Sequence, residues 1–125
     1  MQNDTSKFKY EFKKRLYQWT LNLVSFVEHL PKGTSGDVMG KQLLRSGTSI
    51  IANYTEASAA SSRRDFINFF THSLKSANES KLWLALLRDT KQATESKATL
   101  LLAEITEIAN ILGPSILTLK KKKTI

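Results

Sequence analysis

GKQLLRSGTSIIANYTEA, residues 40–57, carries two distinct faces at helical pitch. Stepping about 100° per residue from Gln42, the polar residues Arg45, Ser49, Asn53 and Glu56 all fall within roughly 60° of it. Leu43, Leu44, Gly47, Ile50, Ile51 and Tyr54 take the other side. A helix divided so sharply has an apolar neighbour to satisfy on one face and a polar one on the other. Glycine inside a helix costs roughly 0.8–1.0 kcal/mol relative to alanine, so Gly40 and Gly47, on a common side, predict close approach of another backbone.

Working outward, Phe8, Phe12, Leu16, Trp19, Leu23, Phe26 and Leu30 recur at spacings of four and three. They define a first helix over about residues 7–30, stopped by Pro31, Gly33 and Gly36. The central stretch belongs to a second helix over about residues 35–59. Ser62 and Asp65 form a capping pattern just before Phe66, Ile67, Phe69 and Phe70, which opens a third helix over about residues 62–89. Thr94 caps a fourth, over about residues 94–120, with Glu95 in its first turn and Leu101, Ile105, Ile108, Leu112, Ile116 and Leu119 along its seam. Within it, Pro114 deletes the bond to the carbonyl of Asn110, which predicts a kink or a short separate final helix. Four such helices with short connections predict an all-α fold, an antiparallel up-down four-helix bundle. It forms one domain over residues 1–125 with a basic tail at 120–125, and no strand pattern competes.

A chain of 125 residues, 41% of them hydrophobic, can bury a core without staples. Cysteine is absent, which excludes disulfides and thiolate chemistry and fits a reducing cytoplasm, the location expected. The opening MQNDTSKFKYEFKK lacks the apolar centre of a signal peptide, and the longest apolar run, residues 82–87, is too short to span a bilayer. No membrane partner is expected. The net charge is +8, yet residues 36–60 are neutral, because Asp37 and Glu56 balance Lys41 and Arg45. The excess gathers in Lys7, Lys9, Lys13, Lys14 and Arg15 and in Lys120, Lys121, Lys122 and Lys123. Basic ends of this kind attract phosphate backbones through counterion release, and they also serve as ordinary solubilising tails.

Chemistry finds little purchase. A di-iron bundle needs E-x-x-H on two helices, and neither His29 nor His72 has glutamate three residues before it. Asp65, His72 and Glu79 recur at sevens and form a second polar stripe, so neither a metal nor a cofactor is expected. Ser73 and His72 are helical neighbours pointing about 100° apart and make no nucleophile–base pair. Phosphate-loop and dinucleotide fingerprints are missing, and Trp19 and Trp83 read as core anchors. Arg63 and Arg64 start the third helix, where cations oppose the dipole; this points to an external acidic partner or to pairing with Glu56 or Asp65.

The stretch at 40–57, followed by RRDFINFF at 63–70 and SANESKLWLALL at 76–87, resembles the four-helix-bundle proteins encoded in intervening sequences of bacterial large-subunit (23S) rRNA genes. The resemblance runs over about residues 8–120 and is carried by Q-x-x-R-S, A-N-x-x-E-A, D-F-I and E-x-x-x-W-L in that order, with Thr55 and Pro114 departing from the pattern. It implies a bundle that assembles into a ring, commonly a homopentamer, with no enzymatic activity established. A similar fold is that of the accessory protein of diversity-generating retroelements, a basic pentameric bundle working with nucleic acid and a reverse transcriptase. Gln42, Arg45, Ser49, Asn53 and Glu56 match the family's polar positions on the second helix, and Asp65 and Glu79 its acids on the third. These seven are expected to form a structural polar network, within one bundle or across a subunit interface, in which Arg45 meets Glu56 or Glu79. The expected function is a non-catalytic oligomeric scaffold, associated with RNA or DNA through the basic ends. The alternatives are a nucleic-acid-binding accessory to an RNA-processing or reverse-transcription enzyme and, third, a metalloenzyme.

Overall fold

Each amphipathic stretch folds as a single long helix in the computed structural model, which describes residues 4–123 and the side chains of residues 7–121. The helices are α1 (Asp4–Glu28), α2 (Thr34–Ser58), α3 (Arg63–Asp89) and α4 (Glu95–Lys123). Among the described residues α2 packs on α3, α3 on α4, and α1 on both α2 and α4, while α1 and α3 stand diagonally without contact. That is the neighbour pattern of an up-down four-helix bundle.

The apolar seams meet along the axis. Leu16 and Leu23 of α1, Leu43 and Ile50 of α2, Leu84 and Leu87 of α3, and Ile105, Ile108 and Leu112 of α4 are wholly buried. Ring contacts set the level at one end: Phe12 lies 5.2 Å from Tyr54, which lies 5.8 Å from Phe70. The first half of α1, the last half of α2 and the first half of α3 therefore lie at the same end of the bundle. Trp19, also buried, fixes the opposite side by donating its Nε1–H to the Leu101 carbonyl at 3.0 Å.

Three sequence expectations are corrected. Gly40 and Gly47 admit side chains rather than a backbone: Val27 of α1 and Leu30 just beyond its end lie over Gly40, and Leu23 and Trp19 of α1 over Gly47. Gly36, expected to stop the first helix, is a buried residue inside the first turn of α2, where the backbone N–H needs no helical partner. Of the two outcomes expected at Pro114, a kink or a short separate final helix, the second does not occur, since α4 runs through it. It sits on the exposed face, and Gly113 before it has no Cβ to meet the proline ring. The hydroxyls of Ser115 and Thr118 donate to the carbonyls of Ile111 at 2.8 Å and Pro114 at 3.0 Å.

By length and composition alone α4 is also apolar enough to cross a bilayer. Isolated glutamates and threonines keep its apolar residues out of any long run, which is why the sequence reading passed over it. In the bundle Leu101, Ile105, Ile108, Leu112 and Ile116 of α4 form part of the buried core.

Candidate functional site

The polar stripe of α2 faces the seam with α3. Arg45 donates through Nε and Nη2 to Gln42 Oε1, both at 3.1 Å, and reaches across to the carboxylate of Glu79. Glu79 also accepts from Trp83 Nε1 at 2.9 Å, so one carboxylate joins the α2 arginine to the α3 tryptophan. One turn further along α2, Asn53 Nδ2 donates to Ser49 Oγ at 2.9 Å, and Ser76 of α3 donates to the same oxygen at 3.0 Å. Gln42, Arg45 and Glu79 thus form one cluster, and Ser49 and Asn53 a second.

Glu56 and Asp65 stand apart from both. Glu56 shares the angular stripe, but eleven residues separate it from Arg45, about 16 Å along a helix axis. Its side chain is exposed and makes no hydrogen bond or ion pair among the described residues, while its carbonyl accepts from the Ala59 N–H at 3.1 Å. Asp65 belongs to the start of α3, where its backbone N–H donates to Ser62 Oγ at 3.1 Å in the expected cap.

Sequence reasoning missed the apolar-side counterpart of this seam. Ser46, Ser73 and Ser80 are fully buried between α2 and α3; the hydroxyls of Ser46 and Ser80 lie 2.9 Å apart, and Ser73 donates to the Ile50 carbonyl at 2.8 Å. Small residues here let the two helices approach closely, and every buried side-chain polar atom among the described residues is partnered. The seven-residue interval from Ser73 to Ser80 was the available signal.

Arg15, one of the residues expected at a nucleic-acid contact, is bonded within the bundle. Its Nε and Nη2 grip both oxygens of Glu104 on α4 at 2.6 Å, and Nη2 also reaches Glu107. The hydrogen bond from Arg15 holds the Glu104 carboxyl below the usual carboxylate range, against a smaller opposing effect of burial. In turn, the Glu104 bond pushes the Arg15 guanidinium above its ordinary value. This clamp bridges α1 and α4, whose seam further up opens into a groove of about 620 Å³ lined by Phe26, Leu30 and Leu101 with His29 and Lys97 at its rim.

The remaining basic residues stay at the surface. Lys7, Lys9, Lys13, Lys14 and Lys120 are exposed, Lys121 lies on the exposed last turns of α4, and Lys122 and Lys123 fall outside the described side chains. Among the described residues no three His, Asp or Glu groups converge as metal ligands. His29 donates from Nδ1 to the Ser25 carbonyl at 2.7 Å, and His72 is exposed on α3.

Residues 9–113 match the family described as 23S rRNA-intervening sequence protein. A solved structure from Bacteroides thetaiotaomicron VPI-5482, described as a protein with unknown function from the S23 ribosomal protein family, is similar with 39% sequence identity and a TM-score of 0.78. The match covers 84% of this chain and 97% of that one. No curated protein matches.

Proposed function

The chain belongs to the 23S rRNA-intervening sequence protein family, and we propose that it is a non-catalytic scaffold that assembles from copies of itself into a closed ring and associates with RNA or DNA. The observation that carries assembly is a pair of exposed apolar patches on opposite corners of the bundle. On α1, Leu21 and Val24 face outward; on α3, Leu82 and Leu86 do. Leu23 packs at Gly47, and Ser46 beside it meets Ser80, so the α3 patch is displaced from the α1 patch by about 8 Å along the bundle. Because α1 and α3 are diagonal, the patches point away from each other.

Two different patches on opposite corners favour a heterologous contact, in which the α1 patch of one copy meets the α3 patch of the next. Such contacts close into rings when the rotation allows. Five copies is the size that the family resemblance implies. Full burial of an exposed leucine or valine contributes about 1.5–3 kcal/mol, and these four side chains, 36–53% exposed, have about half of that still to gain before the cost of association is met. The net charge of +8 supports the nucleic-acid half of the reading.

Complementation tests the head-to-tail contact. A variant carrying Leu21→Glu and Val24→Glu, and another carrying Leu82→Glu and Leu86→Glu, are each expected to be helical monomers. Mixed in equal amounts they retain one intact patch each and are expected to form a one-to-one dimer that grows no further. A mixture that stays monomeric, or an α3 variant that keeps the wild-type mass, would contradict the reading.

A further inference from the structure

The up-down topology gathers onto one end of the bundle basic groups that are far apart in sequence. The first half of α1 brings Lys7, Lys9, Lys13 and Lys14 to that end, and the start of α3 brings Arg63 and Arg64. Trp19 bonding to Leu101, and Arg15 to Glu104, show α4 running antiparallel to α1, which places Lys120 at the same end. All seven are exposed, and none forms an ion pair among the described residues. Asp4, Glu11, Glu56 and Asp65 are at this end, and Glu104 and Glu107 are held by Arg15, so positive charge remains in surplus. The opposite end is close to balanced: Lys32, Lys41, Lys91 and Lys97 stand among Glu28, Asp37 and Glu95, and Arg88 pairs with Asp89.

Two aromatic side chains stand inside this basic surface. Tyr10 is 60% exposed and Tyr17 59%. At 100° per residue they share one outward sector of α1 with Lys13 and Lys14, so lysine and tyrosine alternate turn by turn over about 10 Å of helix. Lysines alone would serve any polyanion. Exposed rings between them add a surface on which unpaired bases stack, and a duplex keeps its base faces hidden.

We propose that this end of the bundle binds single-stranded nucleic acid, with Lys7, Lys13, Lys14, Arg63 and Arg64 on the phosphates and Tyr10 and Tyr17 stacking bases. This rests on the nucleic-acid half of the reading above and is independent of the ring. The surface is separate from Leu82 and Leu86 on α3, while Tyr17 stands one turn from Leu21 on the outward face of α1, so the strand surface borders the α1 assembly patch.

Fluorescence anisotropy with labelled mixed-sequence 20-mers of single-stranded RNA and DNA, with the matching duplexes and with phosphatidylserine vesicles, tests the proposal. Single strands are expected to bind more tightly than duplexes. With five phosphates neutralised, affinity is expected to fall about a hundredfold between 50 and 200 mM salt. Tyr10→Ala with Tyr17→Ala is expected to weaken single-strand binding about tenfold or more while leaving the salt slope unchanged. Lys13→Gln, Lys14→Gln, Arg63→Gln and Arg64→Gln together are expected to flatten that slope. Circular dichroism and light scattering on each variant establish that helicity and mass are retained. Equal or tighter duplex binding, binding to vesicles but not to nucleic acid, or an unaffected tyrosine variant would overturn the proposal. A wild-type monomer that still shows the expected strand preference would remove the ring and leave this surface standing; a ring without strand binding would do the reverse.

Discussion

Leu23 of α1 lies so close over Gly47 of α2 that no Cβ fits between them, with Trp19 Cη2 3.4 Å from where that carbon would stand. Both α1 residues are buried, Leu23 completely, so neither can move aside freely. Gly47→Ala gains helix propensity of about 1 kcal/mol but overpacks a filled site, which typically costs about 1–3 kcal/mol. Net destabilisation is expected in urea unfolding. Gly40→Ala meets only the tip of half-buried Leu30 at 2.9 Å, beyond the end of α1, and is expected to be milder. Equal effects of the two substitutions would contradict this packing.

The Arg15 clamp makes a pH prediction. Glu104 has its pKa lowered in the folded chain from an ordinary value of 4.5. A depressed carboxyl contributes stability that is fully present above the unfolded value and is lost as pH falls through the folded one. Both partners are about a third exposed, so the contribution is expected to stay below about 1 kcal/mol. Below pH 4.5 the wild type should lose stability more steeply than Glu104→Gln, measured by urea midpoints. Parallel acid limbs for the two proteins would show that the clamp is not coupled to folding.

Pro114 leaves the Asn110 carbonyl without its helical donor inside a continuous α4. Pro114→Ala restores that donor and removes the ring from the preceding turn. Proline is about 3 kcal/mol worse than alanine in a helix interior, so a gain of about 1–3 kcal/mol is expected at this exposed position. Thermal unfolding reads the gain; an unchanged or lower Tm would mean that the bundle depends on the proline.

The fold was legible because each helix writes its apolar face at spacings of three and four, as Leu16, Trp19 and Leu23 do. Contacts within one helix were equally readable: Gln42 with Arg45, and Ser49 with Asn53, lie three and four residues apart. Glu56 shares the stripe but stands three turns from Arg45, because projection down a helix axis keeps angle and discards height. Arg15 with Glu104 depends on the register between α1 and α4, which no local pattern encodes. Gly47 announced a close approach in the sequence, but only the packing shows that the approaching group is Leu23. The charge at one end was visible as separate clusters; helix direction brings Arg63 to the same end of the bundle as Lys7.

Self-assembly through two unlike patches is the central claim, and the solution mass of the wild-type protein tests it most directly. Sedimentation equilibrium across micromolar concentrations is expected to give a single species at five times the chain mass of 14.1 kDa, collapsing to one chain in the Leu82→Glu, Leu86→Glu variant. A wild-type protein that sediments at 14.1 kDa throughout, or as a two-chain species unaffected by those substitutions, would contradict it.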